Sequence, residues 1–348
     1  MSNKILPVTT VGSYAWPGWF YLVMAAAERG ELGPQDLQET LTDAVEIALQ
    51  DQRAAGVDIL TDGEMRRVDF IVSFPKRLRG IRQVPQARRL GPDGHDQRPR
   101  FAIEGDITAP EGLGTVEEFR FLREHVQGAL KVAVPGPHTM AGRLAPDGRI
   151  YKAREDIAWA LVPIVRRELE ELVKAGADLI QVDEPSIACY KQNLPSFVKI
   201  FNETVRGIEA KLAVHLCFGN YRARPIGLRT YTPLFPGLLE VRAQQFVLEF
   251  ANREMAEADL WQRFPNDREL AAGVVDVKNH FVEPVEVLAE RIRVMLKYVR
   301  PEKLWLVPDC GFSQTPRFLA FQKLCNLVKA AEAVRAELAG SGHQSVRR

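Results

Sequence analysis

Residues 178–219 contain two short apolar runs, Asp178-Leu179-Ile180-Gln181-Val182-Asp183-Glu184-Pro185 and Ala213-Val214-His215-Leu216-Cys217-Phe218-Gly219, flanking a helical pattern from about Leu194 to Ala210. Each run is shorter than a stable helix and stops at a proline or glycine. This predicts two buried parallel strands joined by a crossover helix. Both runs end in groups capable of chemistry. Alternation along a strand places His215 and Cys217 on one face. An imidazole and a thiol so placed are candidate ligands for zinc, although the same spacing also suits two packed core residues.

The alternation repeats in both directions. Apolar runs at Val8–Tyr14, Val57–Leu60, Lys131–Val134, Gln245–Phe250, Leu270–Val277 and Lys303–Val307 bring the total to eight, nearly all separated by helical patterns. Eight such units predict a (β/α)8 TIM barrel, with a doubly wound open sheet as the alternative. No Gly-x-Gly-x-x-Gly or phosphate-loop motif follows the first strand, which argues against a dinucleotide site. Residues 80–115, rich in Arg, Pro, Gly and Gln, interrupt the rhythm and read as an inserted hairpin or long loop. Pro163 predicts a kink or a late start in the helix before Gly176. The expected organisation is a single catalytic domain over 1–338 and a disordered tail over 339–348.

Composition narrows the partners. Of the 348 residues, 46% are hydrophobic and 26% charged, and the formal net charge is +1, with acids and bases interspersed. These values predict a globular protein with no nucleic-acid or membrane surface. The start, Met-Ser-Asn-Lys-Ile-Leu-Pro, has no signal-peptide pattern, and four cysteines form no disulfide framework. The expectation is a cytoplasmic protein with reduced thiols.

In a barrel, the polar groups that follow each strand gather at one mouth. His215 and Cys217 then gain a third candidate ligand in Cys310, from the Pro-Asp-Cys-Gly turn, and a fourth in Glu249, a lone carboxylate inside an apolar strand. The alternative for Glu249 is an ion pair with Arg222 or Arg224. Cys325 falls on the apolar stripe of the last helix, and Cys189 carries no ligand signal. Two thiolates, an imidazole and a carboxylate suit a zinc ion that activates a thiol substrate.

Thr-Thr-Val-Gly-Ser (9–13), Asp-Gly-Glu-x-x-Arg (62–67), Gln-Val-Asp-Glu-Pro (181–185), His-x-Cys, the strand glutamate and Pro-Asp-Cys-Gly (308–311) occur in this order. In that order they resemble the catalytic C-terminal barrel of the cobalamin-independent methionine synthase family, over residues 8–335. The resemblance implies an S-methyltransferase that makes methionine from homocysteine with a Zn2+ cofactor. Its zinc ligands fall on His215, Cys217, Glu249 and Cys310, and its substrate contacts on Ser13, Glu64 and Asp183. Glu64 and Asp183 suit an α-ammonium group and Ser13 an α-carboxylate. Arg66 or Arg67 is the competing partner for Glu64, and a helix N-cap the competing role for Asp183.

Two departures concern the methyl donor. The chain is too short to hold the family's second, folate-holding barrel. Lys278, with His280 two residues on, stands where the family has a strand-seven histidine that helps to protonate the folate leaving nitrogen, so Asp183, Lys278 and His280 are the candidate catalytic groups. The donor implied is methyltetrahydrofolate or a methylcorrinoid protein, as for the short single-barrel members. A related zinc enzyme adds coenzyme M thiol to epoxides and shares a Gly-Glu-Met-Arg-Arg segment, so alkylation of another thiol is the second reading. A non-catalytic metal-binding barrel subunit is the third. No oligomeric state follows from the sequence.

Overall fold

The computed structural model describes residues 4–67, 73–84, 100–220 and 224–344, the last four without side chains. Six parallel strands form the main sheet: β3 (Lys131–Pro135), β5 (Leu179–Asp183), β6 (Lys211–Leu216), β7 (Gln245–Glu249), β8 (Glu269–Val275) and β9 (Leu304–Pro308), hydrogen-bonded in that order. The sheet does not end in two free edges. Leu60 bridges Leu130 beside β3, Ile59 bridges Thr9, and Val8 bridges Leu306 of β9, all parallel. The Lys131 amide donates to the Leu60 carbonyl (3.0 Å), Thr9 to Leu306 (3.1 Å) and Leu306 to Pro7 (2.9 Å). Each of the eight segments therefore has two neighbours. The ring is closed, as a (β/α)8 barrel requires, and the open-sheet alternative falls.

Alternation divides the core in two. Leu179, Ala213, Val247, Ala271, Trp305 and Val307 pack against one another in the lumen with Val11 and Ile59. Their neighbours Ile180, Val214, Phe246, Leu270 and Leu306 face outward into the helical layer. This parity also turns Gln181, Asp183, His215 and Glu249 inward.

The outer layer holds α1 (Gly18–Glu28), α2 (Pro34–Ala55), α3 (Thr115–His125), α5 (Arg154–Lys174), α7 (Leu194–Thr204), α8 (Val285–Leu296) and α9 (Arg317–Gln344), with the short α4 (Pro137–Ala141) and α6 (Pro185–Cys189) at the strand ends. Helix α5 starts well before Pro163 and runs through it. Asp156 sets that start by accepting the amides of Lys152 and Ala153 at 2.8 Å each. Helix α9 extends past the expected boundary at 338 and takes in the first six residues of the expected tail. Within the insertion, β1 (Arg79–Val84) pairs antiparallel with β2 (Arg100–Thr108), and β4 (Leu144–Ala145) adds to β2 in parallel. The insertion is thus a hairpin, and its tip, 85–99, lies outside the described residues.

Asp58 closes the seam where the chain begins. Its Oδ2 accepts the Val8 amide (2.9 Å) and Arg335 Nη2 (2.6 Å), and its Oδ1 accepts Lys4 Nζ (2.7 Å). Burial alone would raise the Asp58 carboxyl, but these bonds outweigh it and hold it below its ordinary value. Its stabilisation is therefore present above the ordinary carboxylate range and lost as pH falls through the folded value. Asp58→Ala is expected to cost about 3 kcal/mol of unfolding free energy at neutral pH, because it leaves the mostly buried Arg335 guanidinium without a counter-charge, held only by the Ile5 and Leu6 carbonyls. Denaturant unfolding followed by circular dichroism checks this, and a loss below roughly 1 kcal/mol would contradict it.

Candidate metal centre

Strands β5 and β6 pair with Asp183 opposite His215. His215 Nδ1 lies 2.9 Å from Asp183 Oδ1. The other ring nitrogen, Nε2, is buried and has no hydrogen-bond partner among the described residues. Beside it, Cys217 Sγ and Cys310 Sγ stand 3.5 Å apart as free thiols. His215, Cys217 and Cys310 each offer a ligand atom within 4.8 Å of the others. Two sulfurs held at roughly 2.3 Å by one tetrahedral zinc would be about 3.8 Å apart, so the thiol pair fits a shared metal.

Charge is unevenly distributed in this cluster. The hydrogen bond from Cys217 lowers the Cys310 thiol well below its ordinary value, against burial, with His215 and Lys278 assisting. The same contact raises Cys217. Burial would lower His215, but Asp183 and Cys310 outweigh it and lift the imidazole to about 9. The His215 and Cys310 shifts oppose each other across the point where a divalent cation would meet all three ligand atoms.

Glu249 stands outside this three-residue cluster. Its Oε1 accepts Lys278 Nζ at 2.8 Å and its Oε2 the Phe218 amide at 3.1 Å. Carboxylate and ammonium are both almost wholly buried. The alternative, an ion pair at Glu249, is present with Lys278 in place of Arg222 or Arg224, of which Arg222 lies outside the described residues. Burial raises the Glu249 carboxyl and Lys278 opposes the rise, while Glu249 keeps the Lys278 ammonium charged in spite of its burial. Lys278 is therefore committed to Glu249, and His280 is exposed at the surface. Neither lines the cavity described below.

Ser13, Glu64, Asp183, His215, Cys217 and Cys310 line one cavity of about 240 Å3. Glu64 reaches it from a strained turn. Its φ is +56°, in the left-handed region that side chains other than glycine rarely adopt. A Cβ on Gly12 would come within 2.4 Å of Glu64 Oε1, so only glycine lets the carboxylate pass. Arg67 Nη1 lies 3.3 Å from the same oxygen, and Ser13 also bonds to Glu64. Burial raises Glu64 to about 8; Arg67 opposes the rise, and Asp183 and Asp62 add to it. Asp183 Oδ1 takes both His215 and Gln181 Nε2 (2.6 Å), and its Oδ2 takes no bond from the described residues.

Three features escaped sequence reasoning. Asp309 accepts the amides of Phe250 and Ala251 (2.9 Å each) and Asn252 (2.6 Å), which ties the Cys310 turn to the end of β7. The buried Tyr231 hydroxyl donates to the Leu216 carbonyl and accepts the Glu249 amide, both at 2.8 Å, and so spaces β6 from β7. Arg100 of the inserted hairpin lines the cavity with Arg143 and Arg154, so the insertion walls one side of the mouth. Tyr231 and Arg100 lie far in sequence from the groups they serve, and no local pattern signals them. Asp309, beside Cys310, could have been weighed.

Comparisons with known proteins agree with this geometry. Residues 6–333 match the family described as cobalamin-independent synthase, catalytic domain. The methionine synthase of Sulfurisphaera tokodaii is 35% identical over 342 residues, 98% of this chain and 96% of that protein. That of Sulfolobus acidocaldarius is 34% identical over 347 residues, 99% and 97% of the two chains. The solved B12-independent methionine synthase from Shewanella sp. W3-18-1, in complex with selenomethionine, superposes with a TM-score of 0.83 at 27% identity, covering 97% of this chain and all of that one. A methyltransferase from Methanosarcina mazei shares the fold, with a TM-score of 0.61 at 16% identity. Closed barrel, clustered thiols and full-length similarity together place this chain in the cobalamin-independent methionine synthase family, as a member of its catalytic-domain group.

Proposed function

We propose that this protein is a zinc-dependent methionine synthase that transfers a methyl group to the sulfur of homocysteine, working as a single catalytic domain whose last helix runs to Gln344. The observation that carries the proposal is the convergence in one cavity of a His-Cys-Cys donor set and a buried pair of carboxylates. About 240 Å3 is below the roughly 300–1,000 Å3 of ordinary ligand pockets and suits a small amino-acid thiol.

His215, Cys217 and Cys310 would hold the metal. Glu249 is the proposed fourth ligand; its Oε1 accepts Lys278 and its Oε2 the Phe218 amide, and each oxygen keeps a further lone pair. When bound, zinc supplies a Lewis acid that stabilises the substrate thiolate at neutral pH. Glu64 and Asp183 orient the substrate by its ammonium group, and Ser13 takes part in holding its carboxylate. The ammonium charge also favours ionised Glu64, so binding and ionisation reinforce each other. The sulfur electron pair then forms the new S–C bond while the donor–methyl bond breaks and its electron pair leaves with the donor.

The positions of Lys278 and His280 bear on the donor. With neither side chain in the cavity, we infer a donor whose leaving group needs no proton, such as the methyl-cobalt group of a corrinoid protein, in preference to methyltetrahydrofolate. Alkylation of a different thiol by an epoxide, or a non-catalytic metal-binding subunit, accounts less well for full-length similarity to methionine synthases and for the carboxylate pair.

Zinc-loaded protein supplied with homocysteine is expected to form methionine from methylcobalamin and little or none from methyltetrahydrofolate. Methionine from the folate alone would overturn the donor assignment; none from any methyl donor would overturn the activity. Cys310→Ser is expected to lose most of its zinc and to reduce methyl transfer by more than the roughly 100-fold typical of losing an outer-shell partner. Metal analysis showing full zinc occupancy in that variant would remove Cys310 as a ligand.

Glu64→Gln separates substrate binding from stability. A carboxyl raised in the folded state destabilises it progressively as pH rises from the unfolded value, near 4.5, to the folded value, about 8. The variant is expected to lose homocysteine binding yet melt a few degrees above wild type at pH 8, a gain that shrinks towards pH 5. A melting gain that is flat with pH would contradict the assigned burial effect.

A further inference from the structure

The proposed site leaves one buried cation without a role. Lys131 begins β3 and is 1% exposed inside the barrel, a position that methionine or leucine would fill without desolvating a charge. Its Nζ donates to the Thr10 carbonyl and, at 3.1 Å, to Gln181 Oε1. Gln181, fully buried on β5, donates through Nε2 to the Val11 carbonyl (2.8 Å) and to Asp183 Oδ1 (2.6 Å). The same Asp183 oxygen receives His215 Nδ1 at 2.9 Å. A continuous line of hydrogen bonds thus crosses three adjacent strands, from Lys131 to the imidazole whose Nε2 has no partner among the described residues.

The line has a direction. A carboxamide presents an acceptor on one side and donors on the other, and its orientation depends on its surroundings. Lys131 offers only donors, whereas Val11 and Asp183 offer only acceptors. Rotating the Gln181 amide by a half-turn would set donor against donor at Lys131 and acceptor against acceptor at the other two contacts. With Gln181 Nε2 aimed at Asp183, the same Asp183 oxygen is an acceptor on both sides, and the His215 proton belongs on Nδ1.

We propose that Lys131 and Gln181 are positioning residues of the metal centre: Lys131 orients the Gln181 amide, Gln181 holds Asp183, and Asp183 fixes the proton of His215 on Nδ1 and leaves Nε2 as the ligand atom. The last link alone rests on the metal reading given above. Burial pulls the Lys131 ammonium down to about 7, and Asp183 and Glu64 oppose the fall.

The test uses Gln181→Glu and Lys131→Met in the full chain. Gln181→Glu keeps the side-chain shape and the acceptor for Lys131 but sets a carboxylate against Asp183, so a packing role would tolerate it. Zinc affinity is measured by competition with a chromogenic chelator, and the His215 Nδ1 proton by imidazole 15N–1H spectra of metal-free and zinc-loaded protein. The expected result is a loss of zinc affinity of about tenfold or more in Gln181→Glu, together with loss or rapid exchange of the Nδ1 proton signal. Lys131→Met is expected to show the same change to a smaller degree. Wild-type signals and an affinity within about twofold of wild type in the folded variants would overturn the proposal. Should the wild type take up no zinc, the metal reading fails on its own, and the Nδ1 proton of the metal-free variants still decides the positioning role.

Discussion

The hydrogen bond between Asp183 and His215 joins the two halves of this active site. It exists because β5 and β6 are neighbours in register, with Asp183 opposite His215 and both facing the lumen. On one side of it lie Glu64 and Ser13, which suit an amino acid; on the other lie Cys217 and Cys310, which suit a metal. Barrel closure makes the second half possible, because Cys310 follows the last strand and reaches Cys217 only when the ring brings β9 around to the rim of β6.

Burying this much charge is costly, and the structure meets the cost with specific partners. Glu249 has Lys278, Glu64 has Arg67, and Asp309 has three backbone amides. Each pairing also constrains chemistry. Lys278 donates to Glu249, and Glu249 also holds the Phe218 amide just past the end of β6. Burial raises the Glu64 carboxyl to about 8, and Arg67 opposes the rise. On the proposed reading, the pocket suits a cationic amino-acid group and a sulfur.

The rhythm of eight apolar runs was legible because period-two alternation and glycine or proline stops are local properties, as was the shared face of His215 and Cys217. Family motifs in order then located Ser13, Glu64, Asp183 and Cys310, all of which meet in the cavity. Glu249 was recognised as a buried carboxylate in need of a partner, and among the described residues that partner is Lys278, 29 residues on. The roles of Lys131 and Gln181 were hidden for the same reason: they depend on which strands are neighbours and on the direction of each hydrogen bond. A lysine opening an otherwise apolar strand was the one local sign. The first strand, read as Val8–Tyr14, pairs only at Val8 and Thr9, because the chain then turns to deliver Gly12 and Ser13 to the cavity.

The central claim is that a substrate thiol meets a metal held by His215, Cys217 and Cys310. Zinc-edge X-ray absorption of the loaded protein, before and after addition of homocysteine, tests it most directly. The account predicts about two sulfur ligands in the free protein and about three with homocysteine, together with the loss of one lighter-atom ligand. A sulfur count unchanged by homocysteine, or a protein that takes up no zinc, would contradict it.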